Sequence, residues 1–261
     1  MKKVLLTGAN GLIGSLVREQ LAGRYDFRYL THRPAAFPSV VADIADLDAI
    51  ASAFEGMDAV VHLAAASSPA SGWDEVVADN IVGSYNIFEA AKRAGVGCVI
   101  FTSSNHAVSG FEMEAGPSLY DLDDTRMIDE HAEIRPDSYY GISKAAAEAT
   151  GRYYSDVHGV RAFMLRIGWV MREDDPLRAD VSHETVPPLT PEQTRARARA
   201  IFLSQRDCVE LIRCCLDADA VQFGIYYGIS NNPRQFYDLS NARRELGYAP
   251  QDSAPRELAP T

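Results

Sequence analysis

The sequence predicts an α/β fold, a doubly wound parallel sheet followed by a small C-terminal lobe. Three observations predict it. Strand-sized apolar runs alternate with longer segments of helical period, the runs are apolar on both faces as buried parallel strands must be, and a glycine-rich turn joins the first run to the first helix. Runs at 3–7, 27–31, 40–42, 59–63 and 98–102 read as strands. Leu12, Ile13, Leu16, Val17 and Leu21 recur at helical spacing after the first, and Val76, Val77, Ile81, Tyr85 and Phe88 do so before a stop at Gly95. Residues 138–158 are again helical in period and 160–167 form another strand-like run. The rhythm then breaks. Residues 171–194 carry Pro176, Pro187, Pro188 and Pro191 with no sustained period and read as one long connection, the kind that serves as a lid or stays without order. Helical spacing returns at Val209, Leu211, Ile212 and Cys215, followed by an apolar run at 223–227 and a short helix ending near Leu246 and Gly247. The division falls between 1–168 and 169–261.

Composition excludes several classes. Of 261 residues, 47% are apolar and 23% charged, which is globular rather than disordered or fibrous. The net charge of -11 is spread along the chain and repels phosphate backbones, arguing against nucleic acid as a partner. Apolar residues nowhere run together for the roughly 18 a bilayer span needs, and no export signal follows Met1, so a cytoplasmic protein is expected. Cys98, Cys208, Cys214 and Cys215 show neither paired spacing nor a histidine at ligand distance, so reduced, buried thiols are expected and no metal site.

In such a sheet ligands bind beyond the C-terminal ends of the strands. Thr7-Gly8-Ala9-Asn10-Gly11-Leu12-Ile13-Gly14 follows the first strand and opens the first helix. Gly8, Gly11 and Gly14, with Asn10 between them, let backbone N–H groups approach a pyrophosphate at a helix N-terminus, which points to a dinucleotide. Asp43, after the third strand, suits either the adenine amine or a helix cap. An acid near the end of the second strand would bind the ribose 2'-hydroxyl of NAD; Tyr29-Leu30-Thr31-His32-Arg33 has none. Thr31 stands in its place and Arg33 is within reach of a 2'-phosphate, so NADP is expected in preference to NAD, unless Arg33 points into water.

Tyr140-Gly141-Ile142-Ser143-Lys144 places a phenol and an ammonium one turn apart on one helical face. A neighbouring cation favours the phenolate, so the pair suits proton abstraction. Phe101-Thr102-Ser103-Ser104-Asn105-His106 ends the fifth strand and puts hydroxyls at the same sheet edge.

At these residues the chain resembles the extended short-chain dehydrogenases/reductases, the NAD-dependent epimerase/dehydratase family. His62-Leu63-Ala64-Ala65, Asn80, Arg166-Ile167-Gly168 and Leu246-Gly247-Tyr248 carry the resemblance over about residues 3–250. Ser103 to His106, Arg166-Ile167-Gly168 and the stretch 204–215 are most similar to uronate dehydrogenases and archaeal sugar or sugar-phosphate 1-dehydrogenases. The resemblance implies a Rossmann fold whose C-terminal lobe binds substrate, and oxidation of a sugar's C1 hydroxyl to a lactone. It implies Tyr140 as base, Ser104 holding the reacting oxygen, and Lys144 binding the nicotinamide ribose. It adds Leu12, Ile13, Ile44, Leu63, Ala64, Ala65, Asn80 and Ile167 to the cofactor site. Ser67, Asn105 and His106 would contact sugar hydroxyls, and Arg197 would hold a carboxylate. From the residues alone, His106 also suits a structural hydrogen bond, and Arg195, Arg197 and Arg199 a solvated stretch. The family also implies a homodimer or higher homo-oligomer through the helices at 73–94 and 138–158.

Three departures separate the chain from those relatives: Trp169 replaces a small polar residue and would narrow the pocket or stack on the sugar, 171–194 is long, and Thr31 lacks the acid. The alternative reading is a nucleotide-sugar epimerase or dehydratase with tightly held NAD, although about 90 residues after Gly168 is short for its lobe. A cofactor-sensing regulator without chemistry is a third, disfavoured because both Tyr140 and Lys144 are present.

Overall fold

Alternate residues of the first strand serve two cores. Val4 and Leu6 pack on one face and Leu5 on the other, all three without exposed surface. This is the burial that a central parallel strand needs. The computed structural model describes residues 1–179 and 188–256. Its strands are β1 (Lys3–Thr7), β2 (Asp26–Thr31), β3 (Val40–Val41), β4 (Ala59–His62), β5 (Cys98–Ser104), β6 (Arg161–Ile167) and β7 (Phe223–Gly228). They form one parallel sheet in the order β3-β2-β1-β4-β5-β6-β7; the order in which the chain adds strands reverses between β1 and β4, the switch point of the sheet.

The helices are α1 (Leu12–Gln20), α2 (Leu47–Phe54), α3 (Trp73–Glu75), α4 (Gly83–Ala94), α5 (Gly110–Ala115), α6 (Tyr139–His158), α7 (Pro191–Ala200), α8 (Gln205–Asp217) and α9 (Ser240–Leu246). Ile50, Ala53 and Phe54 of α2, Ile87 and Phe88 of α4, and Ala147 and Tyr154 of α6 build the core beneath Leu5. Val17 of α1 and Leu211, Ile212 and Cys215 of α8 build the core beneath Val4 and Leu6. Ser138 caps α6 through the Gly141 N–H, and left-handed Gly95 and Gly159 end α4 and α6.

The structure departs from the sequence reading at several elements, and α5 has no expected counterpart. The helix α2 is capped by Asp46, not by Asp43. The expected single helix over 73–94 is interrupted by a π-helix, Val76–Val82. The expected long connection 171–194 contains a 3₁₀ turn at Pro176–Arg178, and α7 starts inside it at Pro191, behind a capping box of Thr190 and Gln193; its residues 180–187 lie outside the described residues. Finally, β7 extends the same sheet beyond β6, so the division at 168/169 falls within the sheet. No helix among the described residues is long and apolar enough to cross a membrane. All four cysteines are free and buried.

Candidate active site

At the end of β1 the chain makes the glycine turn. Gly8 has φ +67°, and a Cβ there would stand 2.8 Å from the Ala64 nitrogen; at Gly14 it would stand 2.3 Å from the Gly8 carbonyl. No side chain caps α1, whose N-cap is Gly11, and its first turn carries no acid. Its N–H groups therefore remain available to an anion, which fits a dinucleotide pyrophosphate. Thr7 Oγ1 braces the turn against β4, bonding His62 Nδ1 (2.8 Å) and accepting from the Leu63 and Ala64 N–H groups. Burial pushes His62 down to about 3, so it is a neutral strut.

Ser104 ends β5 and pairs in register with Ile167 of β6. Tyr140 and Lys144 occupy the first two turns of α6, packed against β5, so all three candidates meet at one sheet edge. Lys144 Nζ donates to the Thr102 carbonyl at 2.7 Å and stands 5.3 Å from the Tyr140 ring centre. Burial pushes Tyr140 up to about 12, with only the Ser104 hydroxyl pulling it back, and burial brings Lys144 down to about 7 against the opposing charge of Glu148.

Lys144 thereby couples stability to pH. The unfolded chain keeps its proton up to an ordinary 10.5, whereas the folded chain sheds it near 7, so unfolding takes up a proton between those values. The cost of burying Lys144 is full below pH 7 and fades as pH rises. Lys144→Met is expected to melt above the parent protein at pH 6, with the gap closing toward pH 10; scanning calorimetry at the two pH values checks this, and a pH-independent gap would contradict it.

Around this trio lie two acid-supported groups. His106 Nδ1 is 2.7 Å from an Asp137 oxygen, and its ring meets the Tyr140 ring edge-on at 5.7 Å. Burial alone would raise Asp137, but His106, Ser138 and Arg197 outweigh it and keep it below the ordinary range. Arg197 of α7 donates from Nε and Nη2 to Glu112 of α5 at 2.6 and 3.2 Å.

The model of the NAD dependent epimerase/dehydratase family matches residues 4–176. The chain belongs to this family. It is 36% identical to an NAD-dependent glucose-6-phosphate dehydrogenase of Haloferax volcanii, over 96% of this chain and 94% of that one. An L-arabinose 1-dehydrogenase (NAD(P)(+)) of the same organism is also 36% identical, over 97% and 98%. A uronate dehydrogenase of Pseudomonas putida is 32% identical, over 97% and 85%. Among solved structures, the uronate dehydrogenase of Agrobacterium tumefaciens superimposes with a TM-score of 0.80 at 28% identity, covering 97% of this chain and 86% of that one.

The structure gathers most of the expected residues at the β1/β4/β5 edge. Asn10, Leu12 and Ile13 follow the turn, Leu63, Ala64 and Ala65 follow β4, and Ser67 is exposed just beyond. Ile44 is buried beneath the helix that starts at Gly83. Trp169 is half-buried, its backbone paired with the strand-like stretch at Phe202. Other residues have different duties. Thr31 is buried and bonded to Ser39 Oγ at 2.9 Å, leaving Arg33 exposed beside it. Asp43 closes a turn through the Ala45 N–H, and the helix cap is Asp46. Asn80, in the π-helix, ties the Ala66 backbone to Ser143 Oγ of α6. A π-helix places an extra residue in the turn, here bringing a side chain between the β4 loop and α6. Sequence reasoning missed Glu112, Asp137 and Glu148. Glu148 had a signal, since it lies one turn beyond Lys144; Glu112 and Asp137 had none, because their partners are distant or lie on another element.

Proposed function

We propose that the chain is an NAD(P)-dependent dehydrogenase that oxidises the C1 hydroxyl of an aldose, a uronic acid or a sugar phosphate to a lactone. The observation carrying this reading is the meeting of Ser104, Tyr140 and Lys144 beside an uncapped, glycine-bounded helix N-terminus. Backbone N–H groups from Gly8 to Gly14 would hold the pyrophosphate, with Asn10, Leu12, Ile13, Ile44, Leu63, Ala64, Ala65 and Ile167 lining the rest of the nucleotide site and Asn80 bracing the Ala66 backbone beside it. When bound, an oxidised nicotinamide supplies the hydride acceptor. Ser104 Oγ holds the C1 oxygen, and Tyr140 Oη takes its proton as the C1 hydride departs, so that the carbonyl of the lactone forms. A cation beside the phenol opposes the upward push of burial, and Lys144 is such a cation in its protonated form. Lys144 would also bind the nicotinamide ribose, and Ser67, Asn105, His106 and Trp169 would contact the sugar.

NADP is proposed as the preferred nucleotide, because Arg33 is exposed at the β2 end and no acid stands there to repel a 2'-phosphate. Arg33→Ala is expected to weaken NADP more than NAD by roughly tenfold, the size of one charge-assisted contact of about 1.5–3 kcal/mol after partial solvation; initial rates with the two nucleotides check it. A second copy of the chain is the proposed partner. Exposed Tyr85 of α4 and Ile142, Tyr153 and Val157 of α6 form the apolar surface it would cover, and light scattering tests this. The reaction itself is tested by a panel of aldoses, uronic acids and sugar phosphates with both nucleotides. Absence of reduced nucleotide across the panel would refute it.

A further inference from the structure

Arg197 arrives at the sugar end of the site with its anion already supplied. Its Nε and Nη2 form the planar edge with which a guanidinium grips a carboxylate in two parallel bonds, and both Glu112 oxygens occupy that edge. Glu112 is not free to swing away. It is buried, and it accepts further hydrogen bonds from the hydroxyls of Tyr120 (2.9 Å), Tyr237 (2.9 Å) and Ser109 (3.3 Å). Burial would raise the Glu112 carboxyl, yet Arg197 and the two phenols hold it below the ordinary range, so the pair is ionic.

Arg197 nonetheless belongs to the site. The Asn105 amide satisfies both of its ends when its oxygen accepts from Arg197 Nη2 (3.2 Å) and its nitrogen donates to Ser104 Oγ and the Ile167 carbonyl (both 3.3 Å). A chain of polar contacts therefore runs from Glu112 through Arg197 and Asn105 to Ser104. Arg195 and Arg199, two positions to either side on α7, lie on other faces of the helix and do not take over the role; Arg199 Nη1 instead donates to the Arg256 carbonyl. Nearby, Asp137 adds a second carboxylate through His106.

We infer that Glu112 makes this a site for neutral aldoses and discriminates against sugars bearing a carboxylate or phosphate at the end remote from C1. The inference rests on the proposed C1 oxidation and names its substrate class. An anionic sugar meets a cation that is already neutralised, with two carboxylates close by, whereas a neutral hydroxyl needs only one hydrogen bond from Asn105, His106 or a remaining guanidinium N–H. Like charge at short range is the repulsive element of this specificity.

The experiment uses the full-length protein and three sugars on one ring: a hexose, its 6-uronate and its 6-phosphate, each with NAD and NADP. The expected kcat/KM for the hexose exceeds that of either anion by at least roughly tenfold, corresponding to about 1.4 kcal/mol. Glu112→Gln keeps the shape while removing the charge; one phenol still donates to the amide oxygen, and the other turns to accept from the amide nitrogen. It is expected to raise the uronate-to-hexose ratio of kcat/KM by roughly tenfold, chiefly through a lower KM for the uronate. Preference of the parent protein for either anion overturns the inference, as does an unchanged ratio in a folded Glu112→Gln. If that variant fails to fold, the parent's own ratio decides. Failure of the C1 oxidation reading looks different, since none of the three sugars, nor any other in the wider panel, would then be oxidised.

Discussion

Tyr140→Phe is expected to lower kcat for sugar oxidation by roughly 10²–10⁴-fold, the usual contribution of a positioned acid–base group, with nucleotide affinity nearly unchanged. The substitution removes one oxygen and leaves the rest of the packing. The ring keeps its edge-on contact with His106 at 5.7 Å and its place 5.3 Å from Lys144 Nζ. Ser138 still caps α6, because its bond goes to the Gly141 N–H rather than to the phenol. A loss of rate is therefore a loss of proton transfer, not of fold. Steady-state kinetics beside fluorescence titration of reduced nucleotide separates the two, and a variant retaining activity within a few fold would remove Tyr140 from the chemistry.

The largest expected effect on stability lies one layer below the site. Arg166 of β6 is fully buried and donates from Nε and Nη2 to Glu148 of α6 at 2.9 and 2.8 Å, and from Nη1 to Tyr227 Oη at 3.1 Å. Ser103 Oγ donates to the same carboxylate at 2.7 Å. Every polar atom of this pair is engaged, which compensates for removing both charges from water. Arg166→Met leaves Glu148 ionised without its partner, at a cost of about 3–5 kcal/mol. In a protein of this size that lowers the melting temperature by on the order of 10 °C. Adding Glu148→Leu to Arg166→Met is expected to recover much of the loss, since a well-packed apolar pair often matches a buried ion pair. Calorimetry of the two single variants and the double variant checks it. Additive losses would show that the two residues act separately.

Glu148 lies one turn after Lys144 on α6, so this ion pair also sits beside that lysine. Its charge opposes the effect of burial on Lys144. Removing it would take the ammonium further from its charged form, which links the strength of the core to the chemistry above it.

What the chain determined by itself is whatever a local pattern encodes. Runs apolar on both faces had to become interior parallel strands, and β1, β5, β6 and β7 formed close to the expected positions. A glycine turn between a strand and a helix carries its own geometry, and a spacing of four on a helix places Tyr140 above Lys144 without help from the rest of the fold. The cap of the short α2 escaped because the sequence just before it, Asp43 to Asp46, looks like a turn and a cap together. Where α7 begins escaped because Pro191 reads as a breaker, although in the first turn of a helix its missing N–H costs nothing.

The tertiary structure decided how charges and hydroxyls pair across distant segments. Glu112 meets Arg197 across 85 positions, His106 meets Asp137 across 31, and Thr31 turns inward to Ser39. Such pairings depend on burial and approach between elements that no local spacing specifies. Burial of Tyr140 and Lys144 was decided there as well: the helix placed the two groups one turn apart, but desolvation at the sheet edge pushes the phenol up and the ammonium down.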